Sequence, residues 1–125
     1  MSLRVLVVDD EVRVAGTLQA YLEDEGMEVR SAGSAEEALA LVEAGEDFDV
    51  CIMDMRLPGM DGDAAIRRLH QVRPHMRYII HTGTAGYGVP DDLRALGIGN
   101  RQLFMKPLPD MAPLVQTIRS LGSAG

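Results

Sequence analysis

At 125 residues the chain fits one domain, and its 46% hydrophobic and 25% charged content reads as ordinary globular sequence, neither disordered nor membrane-embedded. A net charge of −7 argues against direct nucleic-acid binding, which rests on basic contacts to phosphates, and suits a chain that gathers carboxylates around a cation. No basic-then-apolar leader and no run near the ~20 apolar residues of a membrane span is present, so a cytoplasmic protein is expected, with the lone Cys51 a core residue and no internal disulfide.

The first apolar run, Leu3 to Val8, is rich in β-branched residues, as expected of a strand buried on both faces. From Glu11 to Glu25, Val14, Leu18 and Leu22 recur every four residues and predict a helix that Gly26 stops. Met27 to Ser31 predicts a second strand. Ser34 and Glu37 form an S-x-x-E capping box ahead of Ala38, Leu41 and Val42, and Gly45 closes that helix. Val50 to Met53 predicts the third strand. Asp61 or Gly62 then opens a helix bearing Ala65, Ile66 and Leu69, which must end before Pro74. Tyr78 to His81 is the fourth strand, followed by a short helix from Asp91 to Leu96 that ends at Gly97. Gln102 to Met105 is the fifth. The last helix carries Met111, Leu114, Val115, Ile118 and Leu121, with Pro113 tolerable only in its first turn. Residues 3–121 read as the folded core and 122–125 as a tail or linker stub.

Strand–helix alternation with short links predicts a parallel sheet covered on both faces and joined by right-handed crossovers. In such sheets chemistry gathers beyond the carboxyl ends of the strands. There the chain places Asp9 and Asp10, Asp54, Thr82 and Lys106. Clustered carboxylates repel one another, and a hard divalent cation such as Mg2+, or Mn2+ in its place, relieves them. One carboxylate can then act as nucleophile toward a phosphoryl group. Asp54, at the end of the central run, is the best candidate. Asp9 and Asp10 would hold metal, Lys106 would supply charge and Thr82 a hydrogen bond. Singly, each has a plainer reading: Asp9-Asp10 as a helix cap, Lys106 as a solvated charge, Thr82 as a turn residue with Thr84 its rival. Their joint fall after four different strands favours the shared site. His81 is expected to pack, and His70 and His75 to lie at the surface. Two other functions stay open on residues alone. One is a flavin carrier using the loop His81 to Gly86. The other is a Mg2+-dependent phosphatase, which would want a carboxylate where Arg56 stands.

Four segments carry a family resemblance: Val7 to Glu11, Ile52 to Gly62 with its D-x-x-L-P-G-M-D-G run, Ile79 to Gly83, and Met105-Lys106-Pro107. Together they resemble the response-regulator receiver family over essentially the whole chain. The resemblance implies a single doubly wound (βα)5 domain of the α/β class with strand order 2-1-3-4-5. It implies phosphorylation of Asp54 by a histidine kinase or phosphotransfer protein, with Mg2+ held by Asp10 directly, Asp9 mostly through water, Asp54, and the backbone carbonyl of Arg56. Thr82 would move toward the phosphoryl group, Lys106 would pair with it, and the Lys106–Pro107 bond would be cis. The Arg56 side chain could reach over the phosphoryl group and set its lifetime. A downstream target or attached output domain would read the state, and the face of helix 4, strand 5 and helix 5 could serve in dimerisation. Two features depart from the family. Its aromatic residue three positions before the lysine is Leu103 here, with Phe104 predicted to face the opposite way. Between Thr82 and Lys106 lie Gly83, Gly86, Gly88, Pro90, Gly97 and Gly99, which predict a short or displaced fourth helix.

Overall fold

The computed structural model describes residues 2–123. In chain order the elements are β1 (Arg4–Val8), α1 (Val12–Asp24), β2 (Glu28–Ala32), α2 (Ala35–Glu43), β3 (Val50–Met53), α3 (Gly62–Val72), β4 (Arg77–Thr82), α4 (Asp91–Ala95), β5 (Leu103–Met105) and α5 (Ala112–Ser123). The strands form one parallel sheet in the order β2-β1-β3-β4-β5, the doubly wound architecture expected.

Strand alternation divides the core in two. Val5, Val7, Ile52 and Ile79 pack with Leu18 and Leu22 of α1 and Leu114 and Ile118 of α5. Leu6, Val8, Cys51, Met53 and Ile80 pack on the other face with α2, α3 and Leu93 of α4. Local signals set the helix ends. Ser34 Oγ accepts from the Glu37 N–H at 3.1 Å, while the Glu37 carboxylate reaches back to the N–H of Gly33, one residue earlier than a standard capping box would have it. Asp61 caps α3 by accepting from the Ala64 N–H at 2.9 Å.

Two boundaries differ from the sequence expectation. Gln102 leaves β5 and ends a single 3-10 turn, Asn100–Gln102. Its buried amide donates to the Tyr78 carbonyl and accepts from the Gly99 N–H, both at 2.9 Å. The fourth helix is short, as expected, at five residues. The last helix runs through Gly122 to Ser123, so half of the expected tail is helical; residues 124 and 125 lie outside the described residues. Among the described residues no helix is long and apolar enough to cross a membrane.

Candidate functional site

Beyond the carboxyl ends of the strands, the alternation that places Val7 and Ile52 toward α1 and α5 carries on to Asp9 and Asp54. Phe104 packs on that same side, and Lys106 follows it by two. The ladder continues through these residues, which fixes their direction. The Asp9 N–H donates to the Ala32 carbonyl at 3.0 Å, Asp54 to Val8 at 2.9 Å, and Lys106 to Thr82 at 2.9 Å. Lys106 Nζ consequently lies 2.9 Å from Asp9 Oδ2, 3.0 Å from Glu11 Oε1 and 3.4 Å from Asp54 Oδ2. Asp9 and Asp54 are each 3% exposed. Their remaining oxygens are held by backbone: the Glu11 N–H donates to Asp9 Oδ1 at 2.9 Å and the Arg56 N–H to Asp54 Oδ1 at 3.2 Å.

Burial is the largest influence on Asp54 and pushes its carboxyl up; Asp9 adds to this, and the Arg56 N–H and Lys106 oppose it. Burial alone would lower the Lys106 ammonium, but its hydrogen bonds to Asp9 and Glu11 and the charges of Asp9 and Asp54 outweigh that and raise it, so it stays protonated. Asp9, Glu11 and Asp54 can each bring a carboxylate oxygen within 4.8 Å of the others. Three negative groups facing one ammonium, with oxygen donors only, fit a hard divalent cation.

The connection from β3 to α3 explains the distinctive motif after Asp54. The Gly62 N–H donates to the Met55 carbonyl at 3.3 Å, pressing the start of α3 onto the backbone next to Asp54. A Cβ at Gly62 would lie 2.5 Å from the Asp54 carbonyl oxygen and 2.8 Å from Met55 Cα, so only glycine fits. Gly59 turns the chain at φ +76°, beside Glu36 of α2, whose carboxylate accepts from the Met60 N–H at 3.4 Å.

The structure brings Asp9, Asp54 and Lys106 together as expected. Asp10 is exposed and stands outside the group formed by Asp9, Glu11 and Asp54. Glu11 enters in a role that sequence reasoning gave only to the start of a helix; the available signal was a third acid directly after Asp9-Asp10. The Arg56 side chain is exposed, and its backbone N–H contacts the Asp54 carboxylate. Thr82 is fully buried on the face of Ile80, and its Oγ1 accepts from the Thr84 N–H at 3.1 Å. Leu103 packs on the α2–α3–α4 side and Phe104 on the α1–α5 side, as alternation predicts. The Lys106–Pro107 bond is cis. His81 is buried beside the pocket as a packing residue, and burial pushes it down to about 4. Cys51 is a buried free thiol that burial pushes up, away from reactivity.

Comparison with known proteins gives a consistent result. The family model described as the response regulator receiver domain matches residues 5–119. A protein-glutamate methylesterase/protein-glutamine glutaminase of Paramagnetospirillum magneticum is 37% identical over 98% of this chain and 35% of its own length. The transcriptional regulatory protein AruR of Pseudomonas aeruginosa is 43% identical over 66% of this chain and 35% of its own. The chain thus spans about a third of the length of these curated relatives. Among solved structures, a CheY-like receiver domain protein from Methanospirillum hungatei aligns over all of both chains at 30% identity with a TM-score of 0.79. The response regulator TrrA from Thermotoga maritima, in complex with Mg2+-BeF, aligns at 26% identity over 97% of this chain and 99% of its own, also with a TM-score of 0.79.

Proposed function

The chain belongs to the response regulator receiver domain family, and from that premise we propose that Asp54 accepts a phosphoryl group from the phosphohistidine of a histidine kinase or phosphotransfer protein. The observation that carries this reading is the Asp54 carboxylate, 3% exposed, with one oxygen held by the Arg56 N–H and the other 3.4 Å from Lys106 Nζ. A carboxylate fixed at both oxygens is oriented before the donor arrives, and phosphoryl transfer depends chiefly on positioning and charge neutralisation. In the transfer an Asp54 oxygen bonds to phosphorus as the donor's P–N bond breaks, and the imidazole departs with its electron pair.

The incoming group brings more negative charge to a place where three carboxylates already meet. Lys106 is the protonated group at hand. Its bond to Glu11, whose side chain is 60% exposed, is the one most readily exchanged for a phosphoryl oxygen. Asp9, Glu11 and Asp54 would hold Mg2+ or Mn2+, with Asp10 and the Arg56 carbonyl as the further ligands the family implies; the ion supplies the remaining positive charge. Thr82 uses an oxygen lone pair toward Thr84 and keeps its own proton, which its hydroxyl can donate once it turns to the phosphoryl side.

The domain turns over no substrate of its own. It works as a cytoplasmic switch between two conformations, weighted by phosphorylation and read by an output domain or separate partner. Incubation with Mg2+ and acetyl phosphate should label the protein, and Asp54→Asn should remove the label. A label retained by the folded variant, or a folded wild type that takes none, overturns the reading.

A further inference from the structure

A line of hydrogen bonds runs from Thr82 to the start of α3 outside the sheet. Thr82 Oγ1, at the end of β4, accepts from the Thr84 N–H at 3.1 Å. The Thr84 carbonyl accepts from the Tyr87 N–H at 3.3 Å and closes a turn. The Tyr87 hydroxyl then donates to Asp63 Oδ1 at 2.7 Å. Asp63 stands in the first turn of α3, whose start is fastened beside Asp54 by the Gly62–Met55 bond. One end of the line is therefore the hydroxyl next to the acid pocket, and the other is the helix that follows Asp54.

The piece between those ends can move. Tyr87 is flanked by Gly86, at φ +73°, and Gly88, and a Cβ at either would meet nothing within 4 Å. Backbone rotation on both sides of the ring thus meets little steric resistance. The ring itself is half-buried against the core formed with α2, α3 and α4. Leu103 on that side is aliphatic, and Phe104 packs on the opposite face. Tyr87 is accordingly the one residue between Thr82 and Lys106 that joins an aromatic ring in this core to a polar anchor on α3.

We propose that the Tyr87–Asp63 bond locks the unphosphorylated state, and that it opens when Thr82 turns to the phosphoryl group and releases the turn holding Tyr87. The lock presupposes phosphorylation of Asp54 and supplies the route by which that event leaves the pocket. A Thr82 hydroxyl that swings to an ionised phosphoryl oxygen gains a charge-assisted bond and carries its lone pair away from the Thr84 N–H. Thr84 is partly exposed, so water replaces the lost acceptor. The turn relaxes about its glycines, the hydroxyl leaves Asp63, and the ring loses its anchor. Both partners of the bond are partly exposed, which keeps its worth to about fivefold in the ratio of closed to open forms. A contact made only in the phosphorylated state can reverse a ratio of that size.

The test is amide hydrogen exchange across residues 83–90 of the full chain with Mg2+, without and with excess acetyl phosphate, the label on Asp54 being quantified in the same samples. Labelling should quicken exchange there about fivefold in the wild type, the worth of one such bond. Unlabelled Tyr87→Phe should already exchange at the faster rate, and labelling should add nothing further, because both changes open the same bond. Asp63→Ala removes the other half of the bond and should behave in the same way. Each variant trims a partly exposed side chain, so both keep the fold. A labelled wild type that exchanges no faster overturns the lock and leaves phosphorylation of Asp54 standing. So does either variant in which labelling still quickens exchange as much as in the wild type. A folded wild type that takes no label removes the phosphorylation and the lock with it.

Discussion

Asp9, Asp54 and Lys106 each follow a strand whose ladder continues through their own backbone, whereas the stretch from Thr82 to Leu103 is secured largely by side chains. In that stretch the Tyr87 hydroxyl donates to Asp63 Oδ1 at 2.7 Å, and Arg67 reaches Asp92 at 2.6 and 3.2 Å. Arg94 reaches Asn100 at 3.0 Å, and the five-residue α4 buries Leu93 alone. A ladder fails only with the sheet. A side-chain tether can open singly, and an open tether exposes a local region without unfolding the rest. The proposed switch needs both kinds of construction, because a phosphoacceptor must be fixed while the surface that reports on it must be free to change.

The largest expected effect tests the fixed side. Gly62→Ala places a Cβ 2.5 Å from the Asp54 carbonyl oxygen, against backbone that cannot yield without moving Asp54. Overpacking of this kind costs up to about 3 kcal/mol. The urea midpoint should fall accordingly, and the rate of phosphoryl labelling should fall with it. In the other region a Cβ at Gly88 meets nothing within 4 Å, so Gly88→Ala should leave both measurements unchanged. Equal losses from the two substitutions would break the contrast.

The next effect in size is a pH dependence. An unfolded histidine takes its proton near 6.5, while His81 in the fold holds off to about 4. Between those values the unfolded state binds more protons, so stability falls as pH falls, by about 2 kcal/mol from pH 7 to pH 5. Asp54 acts in the opposite direction. Its folded carboxyl is raised, so the native state takes that proton first and gains stability as pH falls. Urea unfolding between pH 4 and 7 should show a flatter acid limb for His81→Leu and a steeper one for Asp54→Asn. Parallel limbs in all three proteins would remove His81 and Asp54 as the source.

The fixed region was largely legible in the sequence because strand ends follow from apolar runs, and residues after strand ends share one edge. Alternation also placed Leu103 and Phe104 on opposite faces correctly. What remained hidden depends on where one element meets another. Glu11 reads as the start of α1, and reaches Lys106 only because α1 stands beside the end of β5. Gln102 fits an apolar strand pattern until the Tyr78 carbonyl claims its amide. Gly122 suggests a terminus, yet a Cβ there would lie 2.5 Å from Leu3 Cδ2, so the glycine permits close approach inside α5. The orphaned nitrogens of His81 are likewise a property of α1, β4 and the β5–α5 connection together.

The smallest expected effect tests the tethered side most directly. Burial and the hydrogen bond to Asp63 raise the Tyr87 hydroxyl, which stays protonated and donates to the start of α3. Tyr87→Phe keeps the ring and removes that one bond, at a cost of about 1 kcal/mol, since the partly exposed Asp63 carboxylate regains water. Nothing in the acid pocket touches this pair, so labelling of Asp54 should proceed at the wild-type rate. Amide exchange should nevertheless quicken across residues 83–90, where the tether is the connection to α3. Arg67→Ala, whose pair with Asp92 is solvent-exposed, should quicken exchange around α4 without a measurable change in stability. If Tyr87→Phe instead slowed labelling, the hydroxyl would be supporting the position of Thr82, and the two regions would be one mechanical unit rather than a fixed site with a loosely held reporter.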